Sequence, residues 1–323
     1  MTEKRKARAS RGEEAMLLIQ YTLIYASVLI FVAMGGMFSE RSGVINLGLE
    51  GIMVMGALGG AFVLYSMSVG TPALVIILLT ILASVLFGML YSLFLAVAAI
   101  NFKADQTLVG TAMNMLATAA AVVIVKAFNN ARSDGTNPSA ILDYIANRKV
   151  FLIGDFNIYM ILTVILVAAA YVILKKTRFG LRLMACGEHP QAADSLGINV
   201  YKMRYAGVLI SGFCGGIGGI IYISAANSQW DFMYGVAGAG FLALAVMIFG
   251  QWNPLRIAAS ALLFGAFRAV ADTYSAFDAL IHLVPGDVYK MLPYIISLIV
   301  LAFTSKKSRA PKAEGIPYDK GTR

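Results

Sequence analysis

Residues 38–62 read FSERSGVINLGLEGIMVMGALGGAF and set Glu40, Arg41, Ser42, Asn46 and Glu50 inside a run that is otherwise apolar and rich in glycine. An ionised side chain near the centre of a bilayer costs roughly 2.5–3.5 kcal/mol on insertion scales, so such groups face a cavity, a partner or a transport route. Asn46 and Glu50 are four apart, the spacing of one helix face. Together with Ser42 and Asn114 they are candidates to line a polar path through the membrane. The competing reading is that they satisfy one another and nearby backbone at a helix-packing site. Glu40 and Arg41 fit a membrane interface as well as a path. Arg268 and Asp272, again four apart, suit a structural ion pair that lowers the cost of burying either charge. Gln106 and Asn114 offer amides for a hydroxyl-bearing solute or for ordinary interhelical hydrogen bonds.

Groups for covalent or metal chemistry are scarce. His189 and His282 are the two histidines, and neither belongs to an HExxH pair or a cysteine cluster with metal-ligand spacing. No catalytic residue and no metal site is expected. No Gly-Lys dipeptide occurs, so the phosphate-binding loop GxxxxGK[ST] is absent and any ATP hydrolysis must come from another subunit. Cys186 stands in a basic loop and Cys214 in an apolar run, which makes a disulfide between them an unfavourable reading.

The elements that must position these residues follow from composition. The chain of 323 residues is 59% hydrophobic and 13% charged, against roughly 25% charged in an average soluble domain. Nine apolar runs are visible, at 16–37, 47–68, 72–99, 106–127, 157–174, 204–226, 235–249, 253–276 and 288–304. A strand alone in lipid leaves its backbone unsatisfied and no barrel alternation is present, so all are helices. The expected fold is an all-α polytopic membrane protein with about nine to ten transmembrane helices, one of them broken by glycine. It divides into a basic amino-terminal tail (1–15), one membrane domain (16–304) and a basic carboxy-terminal tail (305–323).

Loop charge orients the chain. Lys175, Lys176, Arg178, Arg182, Lys202 and Arg204 outnumber Glu188 and Asp194 around the loop 178–204, and the carboxy-terminal tail is basic, so both are cytoplasmic. The connection 128–156 is balanced in charge and belongs outside. The net charge of +9 is thereby explained by topology without nucleic acid. Lys4, Arg5, Lys6, Arg8 and Arg11 also argue for a cytoplasmic start, yet nine crossings with a cytoplasmic tail require an external one. Either residues 34–70 hold an extra re-entrant or broken crossing, the preferred solution, or the start is external and the basic run is overridden. The first apolar run is too long for a signal core and reads as a retained helix. Gly212 with Gly216, and Gly215 with Gly219, give overlapping GxxxG spacings for close helix packing, and Trp230 and Tyr234 fit an aromatic belt.

Within the loop, Pro190 can open a short helix that Gly197 ends, with Ala192, Ala193 and Leu196 at helical spacing. RFGLRLMACGEHPQAADSLGINVYKMR (178–204) resembles the cytoplasmic loop of the permease subunits of ABC importers of the ribose and branched-chain amino acid type. SERSGVINLGLEGIMVMGALGG resembles the glycine-rich second segment of that family, most like its nucleoside and simple-sugar branch. GFLALAVMIFGQWNP followed by FGAF is similar to a later family segment. The resemblance covers about residues 20–304. It implies a transport subunit without its own ATPase site, in the cell inner membrane of a prokaryote. Its implied partners are an ATP-binding cassette ATPase carrying ATP and magnesium, a second permease forming a heterodimer, and an extracellular or periplasmic substrate-binding lipoprotein. It also implies that Gly187, Glu188, Ala192, Ala193 and Gly197 couple to the ATPase, and that the substrate is a nucleoside or, alternatively, a simple sugar.

MYGVAGAGFLALAVMIFG, followed by the helix from Asn253, echoes RSGVINLGLEGIMVMGALGG, followed by the helix from Pro72. Inverted repeats with glycine-broken segments at matching positions mark a midplane pathway. Two other classes stay open. A secondary carrier would use Glu50 or Asp272 as an ion site and need no partner. An intramembrane enzyme would need a nucleophile with a base or a metal cluster, and neither pattern is visible.

Overall fold

The computed structural model of the protein describes residues 3–68, 70–132, 139–143, 151–153, 156–225, 229–277, 284–304 and 309–321. It is mostly helical. Among the described residues seven helices are long and apolar enough to cross a membrane. They are α1 (Glu3–Arg41), α2 (Leu49–Ser66), α3 (Ala73–Ala96, prolonged by a π turn at Val97–Asn101), α4 (Gln106–Arg132), α5 (Ile158–Lys176), α8 (Val200–Ala225) and α10 (Pro254–Thr273). Between α5 and α8 lie two short helices, α6 (Arg178–Glu188) and α7 (Pro190–Ser195). The remaining helices are α9 (Ala239–Phe249) and α11 (Gly286–Thr304).

Seven spanning helices are fewer than the nine to ten expected from the apolar runs. The run 235–249 yields a helix of only 11 residues, about 17 Å at 1.5 Å per residue, which cannot cross a hydrocarbon core of about 30 Å alone. It starts late because residues 235–238 form a turn, with Ala237 and Gly238 both in left-handed backbone. The extra crossing preferred for residues 34–70 is absent: α1 runs unbroken to Arg41, seven non-helical residues follow, and α2 begins at Leu49.

Helix α8 lies at the centre, packed against α1, α2 and α3, while α10 packs against α1. Small residues allow the approach. A Cβ added to Gly56 of α2 would overlap the backbone of Gly216 in α8, and one added to Gly88 of α3 would stand 2.8 Å from the Cα of the same residue. Three helices therefore meet with backbone against backbone, the use that the GxxxG spacing serves in lipid, where packing rather than the hydrophobic effect drives association. Gly88 lies against Gly212 and Gly216, while Gly60, one turn beyond Gly56, lies against Ser84 and Ile220. These contacts run α2 alongside α8 in one direction and α3 in the other.

At one end of the bundle two antiparallel strand pairs form. Ile141–Asp143 pairs with Gln229–Asp231, and Leu152–Ile153 with Phe156–Asn157. The first pair ties the long connection 128–156 to the segment after α8. Parts of that connection, including Asp134, Arg148, Lys149 and Asp155, lie outside the described residues, as does His282. At the other end the carboxy-terminal residues 309–321 pack against α6, α7 and the start of α8. Ala313 N–H donates to Gly187 O at 2.8 Å, and Tyr318 is buried.

Candidate functional site

Two clusters of polar groups stand out, one inside the bundle and one at the end formed by α6 and α7. The inner cluster is built on the breaks before α2 and α9. Asn46 lies in the non-helical stretch 42–48, so it does not share a helix face with Glu50 as the four-residue spacing suggested. The reason is local. Asn46 Oδ1 accepts from Gly48 N at 3.1 Å, while Gln106 Oε1 accepts from Ile45 N at 2.7 Å, which gives the backbone partners other than helical ones.

Glu50 opens α2 and reaches across to α9. Its Oε1 accepts from Gly238 N at 2.8 Å and its Oε2 from Gly240 N at 2.7 Å. The carboxylate thus satisfies orphan N–H groups at the start of α9 and complements the positive end of its dipole. Asn114 of α4 braces the other break: Oδ1 accepts from Gly51 N and Nδ2 donates to Leu47 O, both at 2.8 Å. Asn46 Nδ2 donates to Ser211 Oγ at 2.8 Å, and Ser42 Oγ donates to Ser39 O. All four predicted path residues are buried and hydrogen-bonded inside the chain. Chemically they hold two interrupted helices with their amino-terminal ends facing one another across a carboxylate.

The second cluster gathers residues far apart in sequence. Glu40 is buried and accepts from Trp252 Nε1 at 2.6 Å. Arg41 donates to Trp252 O at 3.2 Å and faces Glu188 at 3.7 Å. Gln251 and Trp252 both have φ near +50° (+53° and +50°), a left-handed conformation that non-glycine residues avoid at a cost of about 1–2 kcal/mol each. That turn points the indole at Glu40. Gly187 fits against the end of α1 because a Cβ there would overlap Arg41 O.

In α7 the sequence boundaries hold, with Pro190 at the first position and Gly197 left-handed at φ +80° just beyond the end. The predicted coupling residues Ala192 and Ala193 lie on different faces, and Leu196, outside the predicted set, shares the face of Ala192. Ala192 and Leu196 are exposed, Leu196 at 82%, whereas Ala193 is buried against Cys186, Val200 and Tyr318. Burial pushes the Cys186 thiol up to about 11 despite nearby Arg204, which leaves it protonated at neutral pH.

Arg268 and Asp272 form their ion pair at 3.5 Å. Asp272 also accepts from Tyr25 Oη, and Arg268 lies 5.6 Å over the Tyr25 ring while donating to Tyr222 Oη at 3.4 Å. A groove of about 850 Å³ between α1, α5 and α10 is apolar, lined by residues such as Leu23, Ile30, Val164 and Leu262. Its few polar groups are taken: Ser27 donates to Leu23 O, Thr163 to Tyr159 O, and Asn157 accepts from Tyr159 N. The groove suits acyl chains better than a polar solute. Among the described residues no group of three or more His, Cys, Asp or Glu could hold a metal ion.

Local sequence pattern does not mark Trp252, Glu314 or Tyr318 as functional residues. The tail looked basic, and its signal was the apolar IPY at 316–318 embedded in charge. Arg204 counted as loop charge but is buried, with Nη1 donating to Ile316 O at 3.0 Å.

Relatives match this chain in sequence over most of their length. The chain is 42% identical to the guanosine ABC transporter permease protein NupQ of Bacillus subtilis (strain 168), covering 95% of this chain and 98% of that one. It is 40% identical to the nucleoside ABC transporter permease protein NupC of Lactococcus lactis subsp. cremoris (strain MG1363), covering 94% and 97%. A putative glucose ABC transporter permease protein, TsgC13 of Haloferax volcanii, is 28% identical over 88% and 91%. No solved structure matches. With residues 18–301 matched by the family described as branched-chain amino acid transport system / permease component, the chain belongs to that family of ABC transporter permeases, a membrane transport subunit and not an enzyme.

Proposed function

We propose that this chain is the translocation subunit of an ATP-driven importer for nucleosides. The observation that carries this reading is identity of 42% and 40%, over nearly the whole chain, to permeases named for guanosine and for nucleosides. The simple-sugar alternative draws on the more distant relative named for glucose, at 28% identity. The working assembly contains a separate ATPase that binds ATP and magnesium, a second and different permease, and a substrate-binding lipoprotein.

In this reading the chain crosses the membrane nine times. The short α9 completes a crossing with the turn before it, and α11 supplies the last. Because α1 ends at Arg41, which faces Glu188 in the loop assigned to the cytoplasm, the amino-terminal end of α1 lies outside and its basic run is overridden. The segments 42–66 and 232–249 are inverted counterparts, each an approach that is not α-helical followed by an α-helix that begins mid-membrane. The Glu50 bridge between their amino-terminal ends supports that pairing. Ser42, Asn46, Glu50 and Asn114 then form the rigid wall of the path, and Gly187, Glu188, Ala192, Ala193 and Gly197 the coupling region.

Uptake of labelled guanosine by vesicles holding the reconstituted assembly tests the reading. Uptake requiring ATP and the receptor, competed by other nucleosides and not by glucose, is expected. Gradient-driven uptake by this chain alone would sink it.

A further inference from the structure

Helix α7 has only six residues, too few to be stable without packing. What backs it from within is the tail, together with Cys186 of α6 and the start of α8. Tyr318 is buried beside Ala193 and Cys186 and meets the Tyr201 ring edge-on, centroids 5.4 Å apart. Further along, Arg204 holds Ile316 O, Lys103 pairs with Asp319 at 2.7 Å, and Gly187 O accepts from Ala313 N. At its near end Glu314 stands beside Glu40 and Arg41 at the end of α1, and Gly315 lies against Ile45 in the break before α2.

We propose that residues 309–321 are a strut: Tyr318 positions the coupling helix α7, and Glu314 passes its displacement to the end of α1 and to the break 42–48. A push on the exposed Ala192 and Leu196 face meets the cluster of Cys186, Val200 and Tyr318 into which Ala193 packs. The rest of the strut is tied at four further points, so it moves as a unit. Glu314 is half-buried beside the buried Glu40, so it docks more firmly with its proton on than off. The charged groups facing Glu314 are Glu40 and Arg41 of α1, with Glu188 of α6 beyond Arg41.

The strut rests on the importer reading, and one experiment separates the two. The complete transporter, reconstituted in vesicles, is compared for retention of the ATPase subunit, ATP hydrolysis and guanosine uptake per ATP. Tyr318→Ala and Glu314→Ala should keep the ATPase subunit bound and lower uptake per ATP about tenfold, within the range of ordinary coupling between sites. Tyr318→Phe and Glu314→Gln, which keep the ring and the neutral contact, should transport as the unmodified protein does. Unmodified uptake per ATP should also fall as pH rises from 6 to 8, while Glu314→Gln stays flat. If both alanine variants transport normally, the strut is wrong. Loss of the ATPase subunit instead makes the tail a docking surface and equally overturns it. Should Tyr318→Ala misfold, Glu314→Ala decides, since it truncates only a half-buried side chain in a turn. A wild-type assembly without ATP-driven uptake sinks the importer reading itself and the strut with it.

Discussion

Glu50 shows how one side chain can organise a break in a membrane helix. Two N–H groups at the start of α9 have no helical partner, and in lipid no water replaces one. The carboxylate supplies both bonds from a neighbouring helix. Glu50→Ala leaves both donors orphaned, at about 1–3 kcal/mol for each buried unsatisfied group. The expected outcome is a clear drop in thermal midpoint of the detergent-purified protein, with Glu50→Gln in between because its amide keeps one acceptor oxygen. An unchanged midpoint for Glu50→Ala would mean that the bridge contributes nothing to the fold. The sequence singled out Glu50 because a charge in an apolar run is visible in one dimension. It could not show the partner, 188 residues away. Trp252 was passed over for the same reason: its value lies in a left-handed turn that aims it at Glu40, and no local spacing encodes that aim.

At the scale of elements, the helices were legible where burial and span length agree. The runs from 16 to 174 and the caps of α7 correspond closely to observed helices, because apolar length and Pro/Gly punctuation are local properties. Helix α9 was read four residues too long, since glycine and alanine are as apolar in a turn as in a helix. The GxxxG spacing in α8 did forecast close packing, and it carries a second prediction. Gly216→Val forces α2 and α3 away from α8 and should abolish the folded, monodisperse protein on size-exclusion chromatography, since overpacking of even one methylene group costs about 1–3 kcal/mol. Gly70→Ala, with nothing within 4 Å of its added Cβ, is the contrasting control, with only backbone strain at φ +113°.

The tail is the element whose stability depends on pH. Burial pushes the Glu314 carboxyl up to about 7, against the lowering pulls of its hydrogen bond with Glu40 and of Arg41. A released glutamate titrates near 4.3. Between these values the docked tail binds more protons than the free one, so docking is strongest below about pH 4.3 and is lost as pH rises through about 7. Hydrogen exchange at Ala313 N–H, which donates to Gly187 O, reads this directly. After correction for the intrinsic rate, exchange should accelerate from pH 6 to pH 8 in the native chain and stay level in Glu314→Gln. Equal acceleration in both would assign the effect elsewhere.

For the whole molecule, the central question is how a subunit without an ATPase site receives work. The fold concentrates contacts between distant segments at one end, where α6, α7, the end of α1, the 250–253 turn and the tail converge on Glu40, Arg41 and Glu188. The only part of α7 left open is the face carrying Ala192 and Leu196. This alters which substitution tests docking. Ala193, attractive from sequence, is buried inside its own chain, so a large charged residue there would displace Tyr318 and disturb the fold along with any partner. Leu196→Asp changes only the outer face: a side chain 82% exposed gives up little packing, so the isolated subunit should keep its thermal midpoint. If the proposed coupling contact holds, the same change places a desolvated charge in it, and co-purification of the ATPase subunit should fall about tenfold or more. Retention of the ATPase by both Leu196→Asp and Ala192→Glu would remove this face from the coupling contact, and with it the route by which ATP-driven closure reaches the strut.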